Sequence, residues 1–238
     1  LFEQQAGDYI NQLCVSVDGL EVERFRDAWQ AAMDAHDVLR SSFVWDGEVQ
    51  RPLQVIHKDL TVPFSVLDWR ERSDVPQALA QLASEQRQQG FDLQAAPLLR
   101  LVLVQLAAQR YQLIYTSHHI LMDGWSNSQL LGDVLQRYHG QAPVLGGGRY
   151  RDYIQWLARQ DGQVSEDFWK AQLASFEEPT CLAKALIHSA GEPAGQGEYF
   201  LELDRERTAD LQQFARRHKV TANTLVQAAW LLLLQRCT

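Results

Sequence analysis

The chain has 238 residues, 46% hydrophobic and 22% charged, with 14 glycines and 7 prolines; that much apolar surface builds a core and excludes disordered, collagenous and low-complexity classes. With 22 Lys+Arg against 30 Asp+Glu the formal charge is −8, the wrong sign for a protein whose main partner is nucleic acid, since phosphate binding leans on clustered basic side chains. No run reaches the ~18 apolar residues of a membrane span, and Cys14, Cys181 and Cys237 are too few and too scattered for a disulfide framework or a zinc pattern, so the expected location is the cytoplasm.

Residues 9–17 read as a strand, with Ile10, Val15 and Val17 among polar neighbours ahead of an Asp18-Gly19 stop. From Glu21 the apolar period lengthens. Val22, Phe25, Ala28, Trp29, Ala32 and Met33 fall on one face of a helix expected to end near Asp37. Residues 40–45 and 49–56 follow as short strands around an Asp46-Gly47 hairpin turn, and 64–69 as another strand. Ser73-Asp74-Val75-Pro76 offers a capping side chain and a first-turn proline to a helix that carries Leu79 and Leu82 and stops at Gly90. Residues 98–106 and 111–117 are apolar on both faces or nearly so, the pattern of strands inside a sheet covered on both sides. The second strand runs into His118-His119, then Asp123-Gly124, then a helix with Leu130, Leu131, Val134, Leu135 and Tyr138. Helices are expected at 150–158 and 165–173. Residues 175–197, rich in Gly and Pro and poor in periodicity, fit a crossing between two lobes. A strand at 199–203 and helices at 208–218 and 221–234 complete the chain; the last is apolar nearly all round and belongs in a core. The start at Leu1-Phe2-Glu3, without a signal-peptide pattern, and the stop just after that apolar run read as a piece of a longer polypeptide.

A strand, a short polar turn and a helix are where α/β proteins commonly place chemistry. His118 and His119 are neighbours on an extended chain, so their side chains leave on opposite faces and cannot share one role. An imidazole near pKa 6.5 is the natural proton acceptor at neutral pH. Asp123 is placed to orient a ring, cap the following helix or pair with an arginine. Gly124 allows a backbone conformation closed to other residues, and its N–H lies near a helix start, where an oxyanion is stabilised. Adjacent histidines rarely coordinate one ion, so metal binding by His118, His119 and Asp123 is disfavoured, and a Ser/His/Asp hydrolase lacks its Gly-x-Ser-x-Gly elbow. The residues alone support an acid/base site or a structural histidine pair.

His118-His119-Ile120-Leu121-Met122-Asp123-Gly124 is an HHxxxDG pattern, followed by Trp125-Ser126. It resembles that of the condensation domains of nonribosomal peptide synthetases, in the chloramphenicol-acetyltransferase-like superfamily. Three more segments agree in order. His36-Asp37-Val38-Leu39-Arg40-Ser41-Ser42-Phe43 is similar to the family's HExLRTxF segment. The run from Phe91-Asp92-Leu93 to Pro97-Leu98-Leu99-Arg100 is similar to FDLxxxPLLR, and Tyr150-Arg151-Asp152-Tyr153-Ile154-Gln155-Trp156 to YxDYxxW. The family's earliest and later motifs are absent, and Ala35 stands where an arginine is common.

The resemblance implies an α/β (α+β) chloramphenicol-acetyltransferase-like fold of two lobes, each a mixed sheet covered by helices, with the second lobe incomplete. Residues 1–174 would be the N-terminal lobe, 175–197 the connection and 198–238 the start of the C-terminal lobe. It also implies amide formation between a donor acyl or peptidyl thioester and an acceptor aminoacyl thioester. Both would be delivered on phosphopantetheine arms by donor and acceptor peptidyl carrier proteins, beside an adenylation domain of the same megaenzyme, with no directly bound cofactor or metal. His119 would face the reacting centre as base or as positioning group; His118 would face away and support the loop. Asp123 would pair with Arg40, Gly124 would admit close backbone approach, and Trp125 and Ser126 would line the substrate channel. A stand-alone coenzyme A-dependent acyltransferase of the same superfamily and a degenerate docking platform are the alternatives. A fragment lacking the opposing lobe is expected to be inactive by itself.

Overall fold

Alternating apolar side chains on two paired strands organise the first part of the molecule. Strand β5 (Leu99–Gln105) and strand β6 (Arg110–His118) run antiparallel in the register Leu101↔Tyr115 and Leu103↔Leu113. Leu99, Leu101, Leu103, Leu113 and Tyr115 point to one face, and Val102, Val104 and Ile114 to the other; all are buried. Both faces are therefore covered, as the near-continuous hydrophobicity of the two segments predicts. Strand β1 (Ile10–Asp18) pairs antiparallel with β6 and strand β4 (Phe64–Asp68) pairs parallel with β5, so the sheet is mixed, in the order β1-β6-β5-β4. The computed structural model describes residues 9–45, 51–141, 148–176, 180–182 and 200–237.

Helix α1 (Val22–Ala35) and helix α3 (Gly124–Tyr138) cover the first face. Phe25, Trp29 and Met33 recur at helical spacing and pack with Leu130 and Val134 over the sheet leucines. Trp29 is 1% exposed, and its ring centroid lies 5.1 Å from that of Tyr115. Burying large side chains of this kind contributes roughly 1.5–3 kcal/mol each, enough to fix which face the helices take. Helix α2 (Val75–Gln88) covers the second face through Leu79, Leu82 and Ala83. Pro76 stands in its first turn as expected, but the Asp74 carboxylate binds Arg72 instead of capping the helix.

Between α1 and the hairpin the chain makes one 3₁₀ turn (Asp37–Arg40). Strands β2 (Ser41–Val44) and β3 (Leu53–Ile56) then pair antiparallel, Val44↔Leu53, as a separate two-stranded sheet; the Asp46-Gly47 turn lies outside the described residues. The first compact unit, Leu1–Ala158, also contains α4 (Tyr150–Leu157).

The second unit, Arg159–Thr238, contains α5 (Gly162–Gln172), α6 (Arg205–Arg217) and α7 (Ala222–Cys237). Asp161 and Asp204 cap α5 and α6, accepting from the N–H groups of Gln163 and Arg207, which starts both helices three residues earlier than their apolar pattern suggests. The strand expected at 199–203 is not formed over 200–203: these residues pair with no strand among those described, and Phe200 is 82% exposed. The connection expected at 175–197 falls almost wholly outside the described residues. Helix α7 is apolar on nearly every side, yet none of its residues is buried.

The FDLxxxPLLR-like arginine has a local explanation. Arg100 lies on the α2 face of β5, stacks its guanidinium 4.2 Å from the Phe91 ring, and donates to the Gln86 side chain and to the carbonyls of Gln86 and Gly90. It thereby satisfies carbonyls that the end of α2 leaves unpaired. Arg100→Met keeps the aliphatic stem but loses these donations, and urea unfolding is expected to show a loss of about 1–3 kcal/mol; a variant as stable as wild type would remove the capping role.

Candidate active site

The pleat of β6 separates the two histidines. Residues 111, 113 and 115 face α1 and α3, so continuing the alternation carries His118 to the α2 face and His119 to the α1/α3 face. His118 is 6% exposed, whereas His119 is exposed. The backbone N–H of His118 donates to the Leu98 carbonyl and its Nδ1 accepts from the Ile120 N–H at 3.1 Å, which ties the turn after β6 to the sheet. Burial, with the His119 ring beside it, pushes the His118 imidazole below its ordinary pKa.

His119 lies in the wall of a cavity of about 1140 Å³. Val38 and Leu39 of the 3₁₀ turn, Phe43 of β2 and Leu130 of α3 give this cavity an apolar lining, and Tyr150 at the start of α4 joins its wall. His36 and Asp133 form a polar corner. Asp133, 7% exposed, accepts from the Arg137 guanidinium at 2.9 Å and lies 2.7 Å from His36 Nε2. A buried carboxylate needs such partners, and here they tie α3 to the end of α1. Asp133 carried no motif signal of its own; only the folded contact with His36, ninety-seven positions away in sequence, reveals it.

Asp123 is the N-cap of α3. Its Oδ1 accepts from the Ser126 N–H at 2.8 Å, and the Ser126 backbone and hydroxyl hold its carboxyl below the usual carboxylate range. The expected pairing with Arg40 is not formed. Arg40 instead donates to the carbonyls of Met33 and His57 and pairs with Asp37 at 2.8 Å, because Asp37 sits one 3₁₀ turn away on the same side. Arg40 thus braces the turn that walls the cavity. Gly124 opens α3 without a left-handed backbone, and a Cβ there would meet nothing within 4 Å, so neither strain nor crowding in this unit demands glycine. Ser126 lines the cavity; Trp125, 78% exposed, does not, since successive helix positions turn away from one another. Asn11 and Tyr9 were not foreseen: the Asn11 amide nitrogen lies 2.8 Å from His119 Nδ1, and the Tyr9 carbonyl accepts the His119 N–H. Among the described residues no group of three or more His, Cys, Asp or Glu could hold a metal ion, and no helix is long and apolar enough to cross a membrane.

A condensation-domain family model matches residues 1–238. The chain belongs to the condensation-domain family. This condensation-domain sequence is 38% identical over 239 residues to chondramide synthase cmdD of Chondromyces crocatus, covering 96% of this chain and 6% of that protein. It is 34% identical over 235 residues to bacitracin synthase 3 of Bacillus licheniformis, covering 96% and 4%. Its backbone matches the starter condensation domain of rhizomide synthetase RzmA with a TM-score of 0.65 at 22% identity, over 89% of this chain and 52% of that one. The chain therefore spans a few per cent of those curated relatives and about half of that domain. The likeness establishes the mixed α/β, chloramphenicol-acetyltransferase-like fold of condensation domains.

If Asp123 acts as a helix cap, Asp123→Ala remains folded and melts a few degrees lower. The sign with pH follows from its lowered pKa: the stabilisation is present above the unfolded-state value and is lost as pH falls through the folded-state value, so the two melting curves converge in acid. Thermal melts from neutral to acid pH check this; an Asp123→Ala chain that melts like wild type at every pH would remove the capping role. His118 contributes a second slope. Its lowered pKa means that the unfolded state takes up a proton first, so stability falls as pH drops below about 6.5, and His118→Gln is expected to flatten that part of the profile.

Proposed function

We propose that this chain forms part of a domain that joins a donor acyl or peptidyl thioester to an acceptor aminoacyl thioester, both tethered to carrier proteins through phosphopantetheine. The observation that carries the reading is an exposed imidazole, His119, held at a strand end in the wall of a large cavity and followed by an N-capped helix. The acceptor amine attacks the thioester carbonyl carbon. The C–N bond forms, the C–S bond breaks, and the proton released by the amine ends on the departing thiol. An α-amine with pKa near 8 is partly neutral already, so positioning two tethered groups supplies much of the effect. The apolar wall formed by Val38, Leu39, Phe43 and Leu130 suits an acyl or aminoacyl group.

Two relatives that support the reading are named as synthases, of chondramide and of bacitracin. In this reading the donor and acceptor carriers and an adenylation domain are the partners. Residues 1–174 serve as the lobe bearing the HHxxxDG loop, 175–197 as the connection and 198–238 as the opening of the second lobe. His118 holds the loop, Asp123 sets the start of α3, and Arg40 braces the cavity wall.

In the full-length protein supplied with loaded donor and acceptor carriers, His119→Ala is expected to slow amide formation by about 10²–10⁴-fold while carrier loading is unchanged, read by mass spectrometry of the carrier-bound product. Wild-type turnover by the variant would remove base and positioning roles together. Product formed from a free coenzyme A thioester but not from a loaded donor carrier would instead identify a stand-alone acyltransferase.

A further inference from the structure

The partner of the His119 ring lies on the neighbouring strand. Strand β1 pairs with β6 from Ile10↔His118 to Asp18↔Arg110, and residues paired across a sheet share a face. Asn11 is opposite Ser117, so it stands on the α1/α3 face, the face to which His119 belongs. The His119 N–H donates to the Tyr9 carbonyl at 2.7 Å, which extends the ladder one residue beyond the strand and fixes the backbone beneath the ring. Tyr9 has φ 58°, so the extended strand ends there. The Asn11 side-chain Nδ2 then lies 2.8 Å from His119 Nδ1.

The chemistry of this contact assigns the proton. An amide nitrogen only donates, so Nδ1 is the acceptor and carries no hydrogen; a neutral imidazole with an unprotonated Nδ1 carries its hydrogen on Nε2. His119 makes no other side-chain hydrogen bond among the described residues, so Nε2–H is the group left for a ligand in the cavity whose wall contains this residue.

We propose that Asn11 is a positioning residue for His119, holding the neutral ring as the Nε2–H tautomer, so that His119 serves the condensation as a hydrogen-bond donor to the thioester oxygen rather than as the base that takes the amine proton. This rests on the amide-forming function proposed above. A donor at that point stabilises the carbonyl oxygen as negative charge gathers on it, and the proton balance of the reaction is unchanged, since the amine's proton still ends on the departing thiol.

Two measurements test this. In the 238-residue chain labelled with ¹⁵N-histidine, with the His119 signals assigned through His119→Gln, the ring-nitrogen shifts at neutral pH should show a protonated Nε2 and a bare Nδ1. This arm needs neither activity nor an Asn11 variant. In the full-length protein with loaded carriers, Asn11→Leu should lower kcat about tenfold or more while KM changes by less than about twofold. Asn11→Asp should lose as much, because a carboxylate only accepts and draws the proton to Nδ1, and its ¹⁵N spectrum should show that reversal. A proton on Nδ1 in the wild-type chain overturns the proposal; so does an Asn11→Leu or Asn11→Asp variant that turns over like wild type. Failure of the wild-type protein to form amide would sink the proposed function instead, and the tautomer measurement would still decide the role of Asn11.

Discussion

The pleat of β6, held on both sides by β1 and β5, is the constraint on which the site depends. Two adjacent histidines could in principle compete for one role, but an antiparallel ladder that runs unbroken to Ile10↔His118 gives them no choice of face. The buried ring ties the turn to the sheet and the exposed ring meets the cavity. Because the ladder gains one further bond, from the His119 N–H to the Tyr9 carbonyl, the exposed ring is carried by fixed backbone although it lies beyond the regular strand.

The polar groups around the cavity divide the structural work. Asp123 starts α3, Arg40 locks the 3₁₀ turn to the residue after β3 through the His57 carbonyl, and Asp133 ties α3 to the end of α1 through His36. Each acts on a different element or pair of elements, and together they set the walls of the cavity. A charged residue in a family motif can thus be required for the shape of a site without touching the reacting atoms. Arg40 is the clearest instance, since its guanidinium is engaged by the carbonyls of Met33, Asp34 and His57 and by Asp37.

The pairing expected between Asp123 and Arg40, and not formed, shows how local competition decides a carboxylate's partner. An aspartate three residues before a helical N–H meets that donor at no cost in loop closure, whereas a distant arginine must be brought to it. Arg40, for its part, finds Asp37 on its own turn. Short-range geometry satisfies both groups separately.

Read alone, the sequence determined the elements whose period is strong: the helices carrying Phe25, Trp29 and Met33 and carrying Leu130 and Val134, the two doubly covered strands, the hairpin strands and the HHxxxDG turn. The opposite faces of His118 and His119 were legible too, because alternation is a local property of extended chain. What the tertiary structure alone decided is which groups meet: Asn11 with His119, His36 with Asp133, Arg100 with the end of α2. It also withheld a strand at 200–203, where apolar residues have no neighbouring strand to pair with among the described residues. The division has one physical cause. Periodicity and capping are written within a few residues, while hydrogen-bond partners about a hundred positions apart are chosen by sheet register and by helices packing over a common face, and neither exists until the chain has folded.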